Sequence, residues 1–282
     1  MKDETFQIRF WGTRGSVPVS GPQYARFGGN TACIQVQCGP HTLFFDAGSG
    51  IRPAGETLGP TVDEFDVFFT HSHYDHMIGL PFFYPFYNPR TKVRLWSGHL
   101  SGWLTTAEML HEFMRPPWFP VRLDICKANL ECRDFASGDV LQPREGVVIR
   151  TGSLNHPGGC IGYRIEWDGR AMAIITDTEH DPAGKLDANI LALIEGVDLV
   201  VYDCTYTEDE MVKRRGYGHS TWQQGVKLCK AAGATRLALF HHDPARTDDQ
   251  LDAIEREAAL ALSGSFAARD DQVVDIEPSA KS

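Results

Sequence analysis

The stretch "FFTHSHYDHMIGL", residues 68–80, places three histidines and one aspartate directly after an apolar run of strand length. In an extended chain, residues two apart point to the same side, so His71 and His73 can reach one ion together. Asp75 and His76 follow where the chain turns, and they can face a second ion. Imidazole and carboxylate ligands suit Zn²⁺, Mn²⁺ or Fe. The stretch therefore predicts a metal site at the end of a strand.

Three later segments repeat this pattern of a His or Asp directly after a predicted strand. His156 lies in "SLNHPGG", Asp177 lies in "AIITDT", and His241 and His242 are adjacent in "LALFHHDP". Because loops at one sheet edge build functional sites, we expect these side chains beside the first cluster. The carboxylate of Asp177 has two oxygens and can bridge two ions.

Strand and helix patterns alternate through the second half of the chain. Asp168-Gly169 is a strong two-residue turn signal between apolar runs and predicts a β-hairpin over "IGYRIEWDGRAMAIIT". Ser220 with Gln223, and Thr247 with Gln250, form the capping-box pattern that begins a helix. Because strands with attached helices build layers around a core, the chain is predicted to be a layered α/β protein.

Length and composition are those of an ordinary globular protein. The chain has 282 residues, of which 42% are hydrophobic and 23% charged. No Pro-, Ser- or Gly-rich linker divides it. We therefore expect a single domain over residues 1–282, with an aromatic and proline-rich insertion at about residues 81–120.

The bulk numbers also bear on partners and location. No apolar run approaches the ~20 residues that cross a bilayer, so no membrane partner is expected. The N-terminal residues lack the apolar segment of a signal peptide, which predicts a cytoplasmic protein. A net charge of −10 repels nucleic acid, so DNA is not expected and RNA is disfavoured. The run "MVKRRGYGHS", with Lys213, Arg214 and Arg215, is the best local exception.

Taken in order, "HSHYDH", "NHPGG", "IITDT" and "LFHHDP" resemble the successive metal motifs of the metallo-β-lactamase superfamily. The resemblance covers nearly the whole chain and implies a four-layer αββα sandwich with two divalent metal ions, zinc being expected ahead of manganese or iron. It assigns one ion to His71, His73 and His156, and the other to Asp75, His76 and His241, with Asp177 bridging. His241 takes precedence over His242 because it stands where the family places its last ligand.

Other segments resemble the tRNase Z-like phosphodiesterase branch of that superfamily. They are the glycine-rich "FWGTRGSVPV" and "FGGNTAC", the His-Ser-Thr motif in "YGHST", and "LVVYDCTY", where Asp203 replaces the glutamate of the family. The resemblance makes His219 a proton donor to the leaving oxygen, oriented by Asp203. Ser220 and Thr221 lie at the start of a predicted helix, where an anionic phosphate is favoured.

These motifs imply attack by a metal-bridging hydroxide on a phosphodiester. We find no protruding basic arm of the kind that tRNA-processing relatives use, so a small diester, above all a 3′,5′-cyclic nucleotide, is the leading expectation. Phe82 and Tyr84 of the insertion are candidates to stack a base, and the resemblance implies a homodimer. The alternatives are a tRNA 3′-processing endonuclease, a cyclic-phosphate hydrolase, and, in another class, a thioester or lactone hydrolase.

Overall fold

The strands that carry these motifs are all present in the computed structural model, which describes residues 3–59 and 61–277. In chain order they are β1 (Phe6–Gly12), β2 (Cys33–Cys38), β3 (His41–Phe45), β4 (Glu64–Phe69), β5 (Lys92–Ser97), β6 (Asn129–Asp134), β7 (Val140–Leu141), β8 (Val148–Leu154), β9 (Cys160–Trp167), β10 (Arg170–Ile175), β11 (Leu199–Asp203), β12 (Leu237–Phe240), β13 (Phe266–Ala267) and β14 (Val273–Asp275). The helices are α1 (Ile51–Leu58), α2 (Tyr74–Met77), α3 (Thr106–Phe113), α4 (Ala188–Ile194), α5 (Glu208–Met211), α6 (Trp222–Ala232) and α7 (Asp248–Ala261). No helix in this part of the chain is both long and apolar enough to cross a bilayer.

Two mixed sheets form the centre of the molecule. Their strand orders are β14-β1-β2-β3-β4-β5-β6 and β13-β12-β11-β10-β9-β8-β7. Strands β3 to β6 run parallel, as do β10 to β13, while the remaining neighbours pair antiparallel. Helices α1 and α3 cover the outer face of the first sheet, and α4, α6 and α7 cover that of the second. The predicted αββα sandwich is confirmed.

Strand β4 is buried on both faces, and all of its residues except Glu64 and Asp66 are apolar. Phe68 points between the sheets, where its ring lies 5.2 Å from that of Phe45. Phe65, Val67 and Phe69 point the other way, into the core beneath the helices. A strand buried on both faces favours apolar residues on each face, and each large apolar side chain contributes about 1.5–3 kcal/mol of burial. The buried carboxylate of Asp66 is paired with Trp96 and Arg144. The strand therefore ends rigidly anchored just before the first histidine.

Local signals in the sequence agree with the structure at two places and differ at one. The β9–β10 hairpin turns at Asp168 and Gly169, whose φ angles are 50° and 76°, and Thr247 caps α7 through the predicted capping box. The predicted cap of α6 is wrong by one residue. Thr221, not Ser220, accepts the cap hydrogen bond, because the Ser220 hydroxyl bonds Tyr202 at 3.0 Å instead.

The segment 81–120 is partly core and partly surface. Phe83 and Phe86 are buried against the first sheet, whereas Trp103 and Trp118 are 75% and 78% exposed. Helix α3 begins after its cap Thr105, because the preceding residues form turns. The single-domain interpretation stays a prediction, and residues 1–2 and 278–282 at its ends lie outside the described part of the chain.

Candidate metal centre

The ends of β4, β8, β10 and β12 bring the predicted ligands to one place. His71 and His73 follow β4, while His156, Asp177 and His241 follow the three strands of the second sheet. Both sheets therefore contribute to the centre. Every one of the seven predicted ligand residues belongs to one of two compact groups of nitrogen and oxygen atoms.

The first group holds His71, His73 and His156, with one ring nitrogen of each within 4.8 Å of the others. His156 Nε2 lies 3.1 Å from His73 Nδ1. His71 Nε2 is buried and has no hydrogen-bond partner among the described residues. A buried imidazole nitrogen without a partner is costly unless an ion takes its lone pair.

The second group holds Asp75, His76, Asp177 and His241, all buried. His241 Nε2 lies 3.1 Å from Asp75 Oδ2 and 3.3 Å from Asp177 Oδ2. His76 Nε2 lies 3.3 Å from an oxygen of each carboxylate. Four ligand atoms thus converge from three separate segments of the chain.

Asp177 stands between the two groups. Its Oδ2 atom is 3.8 Å from Nε2 of both His71 and His156, and 3.3 Å from that of His241 in the other group. Asp177 and His241 have φ angles of 53° and 59°, a region that residues other than glycine seldom adopt. Such strain persists where the surroundings enforce it, and it concentrates at functional sites.

In three histidines, the ring nitrogen that faces away from the two groups of ligand atoms contacts a polar atom of another residue. His76 Nδ1 bonds Asp46 Oδ2 at 2.8 Å, and His156 Nδ1 donates to the Gly218 carbonyl at 2.7 Å. His241 Nδ1 lies 3.0 Å from Thr205 Oγ1. A partner on Nδ1 orients the ring and leaves Nε2 facing the centre, as in metal-bound histidines.

Electrostatics agree with a cation at this place. Burial lowers the pKa of His71 and His156, which keeps their rings neutral and able to donate a lone pair. Burial opposes ionisation of Asp177, yet the neighbouring His241 and His76 hold the pKa of its carboxyl well below its usual range. Imidazoles beside carboxylates are the donor set that Zn²⁺, Mn²⁺ or Fe prefers, so the residues fit divalent metal ions.

His219 and Asp203 form a pair beside this centre. His219 Nδ1 lies 3.0 Å from Asp203 Oδ2, and its ring stacks on that of His241 at 4.8 Å. Burial alone would lower the pKa of His219, but Asp203 dominates and raises it to about 9. Asp203 is itself held by the hydroxyl of Thr205 at 2.7 Å. The imidazole is therefore oriented by a carboxylate, as in catalytic His–Asp pairs.

A cavity of about 320 Å³ opens over both features. It is lined by Ser16, Ser72, His73, Tyr74, Asp75, Asp177 and His219. Ser72 and Tyr74 also line a neighbouring groove that contains Trp103 and Trp118. We call the first cavity the catalytic cleft and the second the aromatic groove.

The other predicted site residues lie elsewhere. Ser220 is buried, with its hydroxyl 3.0 Å from His180 Nδ1, and Thr221 caps α6. Phe82 packs on Phe119 and, like Tyr84, is about half exposed and lines neither the cleft nor the groove. A substrate-binding role for these four stays a prediction.

His242 points away from the two groups of ligand atoms. Its Nε2 donates to the Ala268 carbonyl at 2.9 Å, and its ring contacts Phe27 edge-on. Burial lowers the pKa of His242 to about 3, so the ring is neutral. The geometry places His241, and not its neighbour, among the groups that could hold a metal.

Sequence reasoning missed three residues of this site. Asp46, which orients His76, follows β3 just as the ligands follow their strands, so the same pattern could have found it. Tyr74 lies inside the opening motif and is 76% exposed beside the cleft. The Ser16 amide donates to Asp75 Oδ2 at 2.7 Å, a contact that no sequence pattern announces.

Two known ribonucleases align with nearly the whole chain. Ribonuclease Z of Haloarcula marismortui is 23% identical over 313 residues, covering 92% of this chain and 96% of that protein. Ribonuclease Z of Gemmatimonas aurantiaca is 24% identical over 317 residues, covering 95% of each chain.

Solved structures share the fold. The metallo-beta-lactamase fold protein YhfI from Bacillus subtilis superposes with a TM-score of 0.73 at 17% identity, covering 96% of this chain and 99% of that one. A diphosphatase from the PhnP family gives a TM-score of 0.70 at 17% identity, covering 96% of each. The short form of human tRNase Z gives 0.65 at 19% identity, covering 96% and 99%.

The fold and the site thus define a metal-dependent hydrolase of the tRNase Z-like branch, as the sequence motifs indicated. Residues 41–242, more than half of the chain, match the beta-lactamase superfamily domain, and the chain belongs to that superfamily.

Proposed function

We propose that this protein is a dinuclear metal-dependent phosphodiesterase. His71, His73 and His156 hold one divalent ion, Asp75, His76 and His241 hold the other, and Asp177 lies between them. Zinc is the expected metal, with manganese or iron as alternatives. When bound, the ions supply Lewis-acid activation of water and neutralise charge on the phosphate.

The observation that carries the proposal is the His219–Asp203 pair at the cleft wall. Asp203 holds Nδ1 of His219, which leaves the Nε2–H to donate a proton to the departing alkoxide oxygen. An alkoxide is a poor leaving group, so a phosphodiesterase gains from such a donor. A thioester or lactone hydrolase, our alternative of another class, has less need of one, and the pair therefore favours the phosphodiester.

RNA is the substrate that the comparisons support better. The relatives that align over nearly the whole chain are named as ribonucleases Z, which favours a tRNA 3′-processing endonuclease over the cyclic-nucleotide phosphodiesterase expected from the sequence. The expectation against RNA loses its support accordingly. That expectation rested on the missing basic arm and on net charge, which averages over the whole surface and does not report the field beside the cleft.

A small phosphodiester remains the second candidate. The cleft measures only about 320 Å³, and the structural relative from the PhnP family is named as a diphosphatase. A 3′,5′-cyclic nucleotide or another cyclic phosphate belongs to this candidate. Homodimer formation stays a prediction, which light scattering on the purified protein tests directly.

One assay separates these candidates. Protein loaded with Zn²⁺ or Mn²⁺ is offered a pre-tRNA with a 3′ trailer, cAMP, cGMP, bis(p-nitrophenyl) phosphate and a thioester, with the metal-stripped protein as control. We expect cleavage of the pre-tRNA and of the model diester, dependent on metal, and none of the thioester. Absence of all diester cleavage in the loaded protein would sink the proposal.

A further inference from the structure

A basic loop lies next to the catalytic cleft and has no role in the chemistry described above. Residues 212–217 follow helix α5 and are all exposed, whereas the next three residues, including His219, are buried. The loop carries Lys213, Arg214 and Arg215 in succession. We call residues 212–217 the basic loop.

The charges of the basic loop are not neutralised by direct contact. None of its three cations forms a salt bridge with any residue in the described ranges 3–59 and 61–277. Of the nearby acidic residues, Glu210 is bound by Arg246 at 2.6 Å, and Glu179 accepts from the backbone amides of Gly216 and Gly218. Glu208 and Asp209 lie in the first turn of α5. Exposed cations that form no salt bridge are available to an anionic ligand.

Aromatic rings accompany these charges. The Arg214 guanidinium carbon is 5.7 Å from the ring centroids of both Tyr206 and Tyr217, a distance that favours cation–π contact. Tyr217 is 55% exposed and therefore presents part of its ring to solvent. A cation beside an exposed aromatic ring, as Arg214 is beside Tyr217, is typical of surfaces that bind single-stranded nucleic acid.

Hydrogen bonds fix the basic loop to the metal centre. The Glu179 carboxylate accepts from the amides of Gly216 and Gly218, at 2.8 and 2.9 Å. Arg215 Nη1 donates to the carbonyl of His180 at 3.1 Å. The Gly218 carbonyl accepts from His156, one of the proposed ligands. Only glycine suits Gly218, whose φ is 82° and whose added Cβ would meet His156 Nδ1 at 2.4 Å.

We propose that the basic loop binds backbone phosphates of single-stranded RNA next to the scissile bond, an inference that rests on the proposed phosphodiesterase function. Arg215 is four residues from His219, so its Cα lies within about 14 Å of the proton donor. In a polynucleotide, the phosphates on either side of the scissile phosphate can lie within this distance of His219. A cyclic mononucleotide has a single phosphate, which the metal centre already engages. The loop therefore selects for a polymer.

The test compares two double variants of equal charge change in the metal-loaded protein. Lys213→Ala with Arg214→Ala removes two loop cations and keeps the Arg215 hydrogen bond. Lys230→Ala with Arg256→Ala removes two exposed cations from α6 and α7. Binding of a labelled single-stranded 2′-O-methyl RNA is measured by fluorescence anisotropy across a salt series. Hydrolysis of bis(p-nitrophenyl) phosphate is measured in parallel.

We expect the loop variant to bind the RNA roughly tenfold more weakly at about 0.1 M salt, with the slope of log K against log salt reduced by about 1.4. Its kcat/KM for bis(p-nitrophenyl) phosphate stays that of the wild type, as does every property of the control variant. Equal RNA binding by the two variants, or no RNA binding by a wild type that cleaves the small diester, overturns the loop proposal alone. A wild type that cleaves no diester overturns the proposed function instead.

Discussion

In the metal centre, His71, His76 and His241 are at most 1% exposed, whereas Tyr74 and Trp103, which line the aromatic groove, are 76% and 75% exposed. The histidines are oriented by hydrogen bonds to buried partners, such as Asp46 and Thr205. The aromatic rings instead stand at the surface of a groove. Buried partners hold the histidines in one orientation, as a reacting group requires, whereas the aromatic rings stay accessible to solvent.

The largest effect is expected at the point where the two groups of ligand atoms meet. Asp177→Asn keeps the size of the side chain and removes the charge that both groups share. We expect metal content to fall and diester hydrolysis to drop by roughly 10³-fold or more, since several kcal/mol of charge stabilisation are lost. Mass spectrometry of bound metal and initial rates check this. Full metal content with full activity would show that Asp177 is not a ligand.

A smaller loss should follow removal of the proton donor. His219→Ala is expected to slow cleavage of a diester with an alkoxide leaving group by about 10²–10⁴-fold. Bis(p-nitrophenyl) phosphate should suffer far less, because p-nitrophenolate departs without a proton. The protein must keep its metals, which the same metal analysis verifies. An equal loss on both substrates contradicts the assignment of His219 as the acid.

Removal of a residue that orients a metal ligand should have a milder effect, mainly on the affinity for metal. Asp46→Asn weakens the hold on His76, so we expect metal affinity to fall by about 10–100-fold. Asp66→Asn is the matched control, because Asp66 is equally buried but bonds Trp96 and Arg144 instead. Competition with a chelator measures both variants. If Asp66→Asn weakens metal binding as much, the effect is one of general stability.

The smallest effects are expected at the exposed aromatic rings. Tyr74→Ala removes a ring that lines both cleft and groove, and we expect KM for RNA to rise roughly fivefold, the loss of about 1 kcal/mol of stacking. Phe82→Ala should change KM less than about twofold, because that ring packs on Phe119 outside both cavities. Steady-state kinetics on RNA compare the two. A larger effect at Phe82 restores the original base-stacking prediction.

Much of the centre could be predicted because its pattern is local. Each predicted ligand follows a strand within one to seven positions, and strands of a sheet end at a common edge. Asp203 and His219 are 16 residues apart and yet pair at 3.0 Å, as the family motifs implied. The motifs work because imidazole and carboxylate are the groups that metals require, and few other residues can replace them.

The sequence did not reveal which way some side chains point or which residues surround them. Ser220 was expected to cap α6, but its hydroxyl meets Tyr202 and His180. Neighbouring residues of similar chemistry compete for one role, and packing of β11 against α6 decides between them. The sequence marked Lys213 to Arg215 as the best local exception to the acidic charge, and only the structure shows that Glu179 binds the amides of Gly216 and Gly218 beside them.

The sequence by itself determined a layered α/β architecture, the kinds of ligand and the strand ends on which they sit, which follow from hydrophobic periodicity and from the donor chemistry that metal ions require. Its motifs implied the αββα sandwich through their resemblance to the metallo-β-lactamase superfamily. Only the tertiary structure decided that His241 faces the centre while His242 bonds the Ala268 carbonyl, and that Asp46 supports His76 from another strand. The reason is physical: identity and spacing set which groups are available, but the packing of the two sheets sets which way each one points.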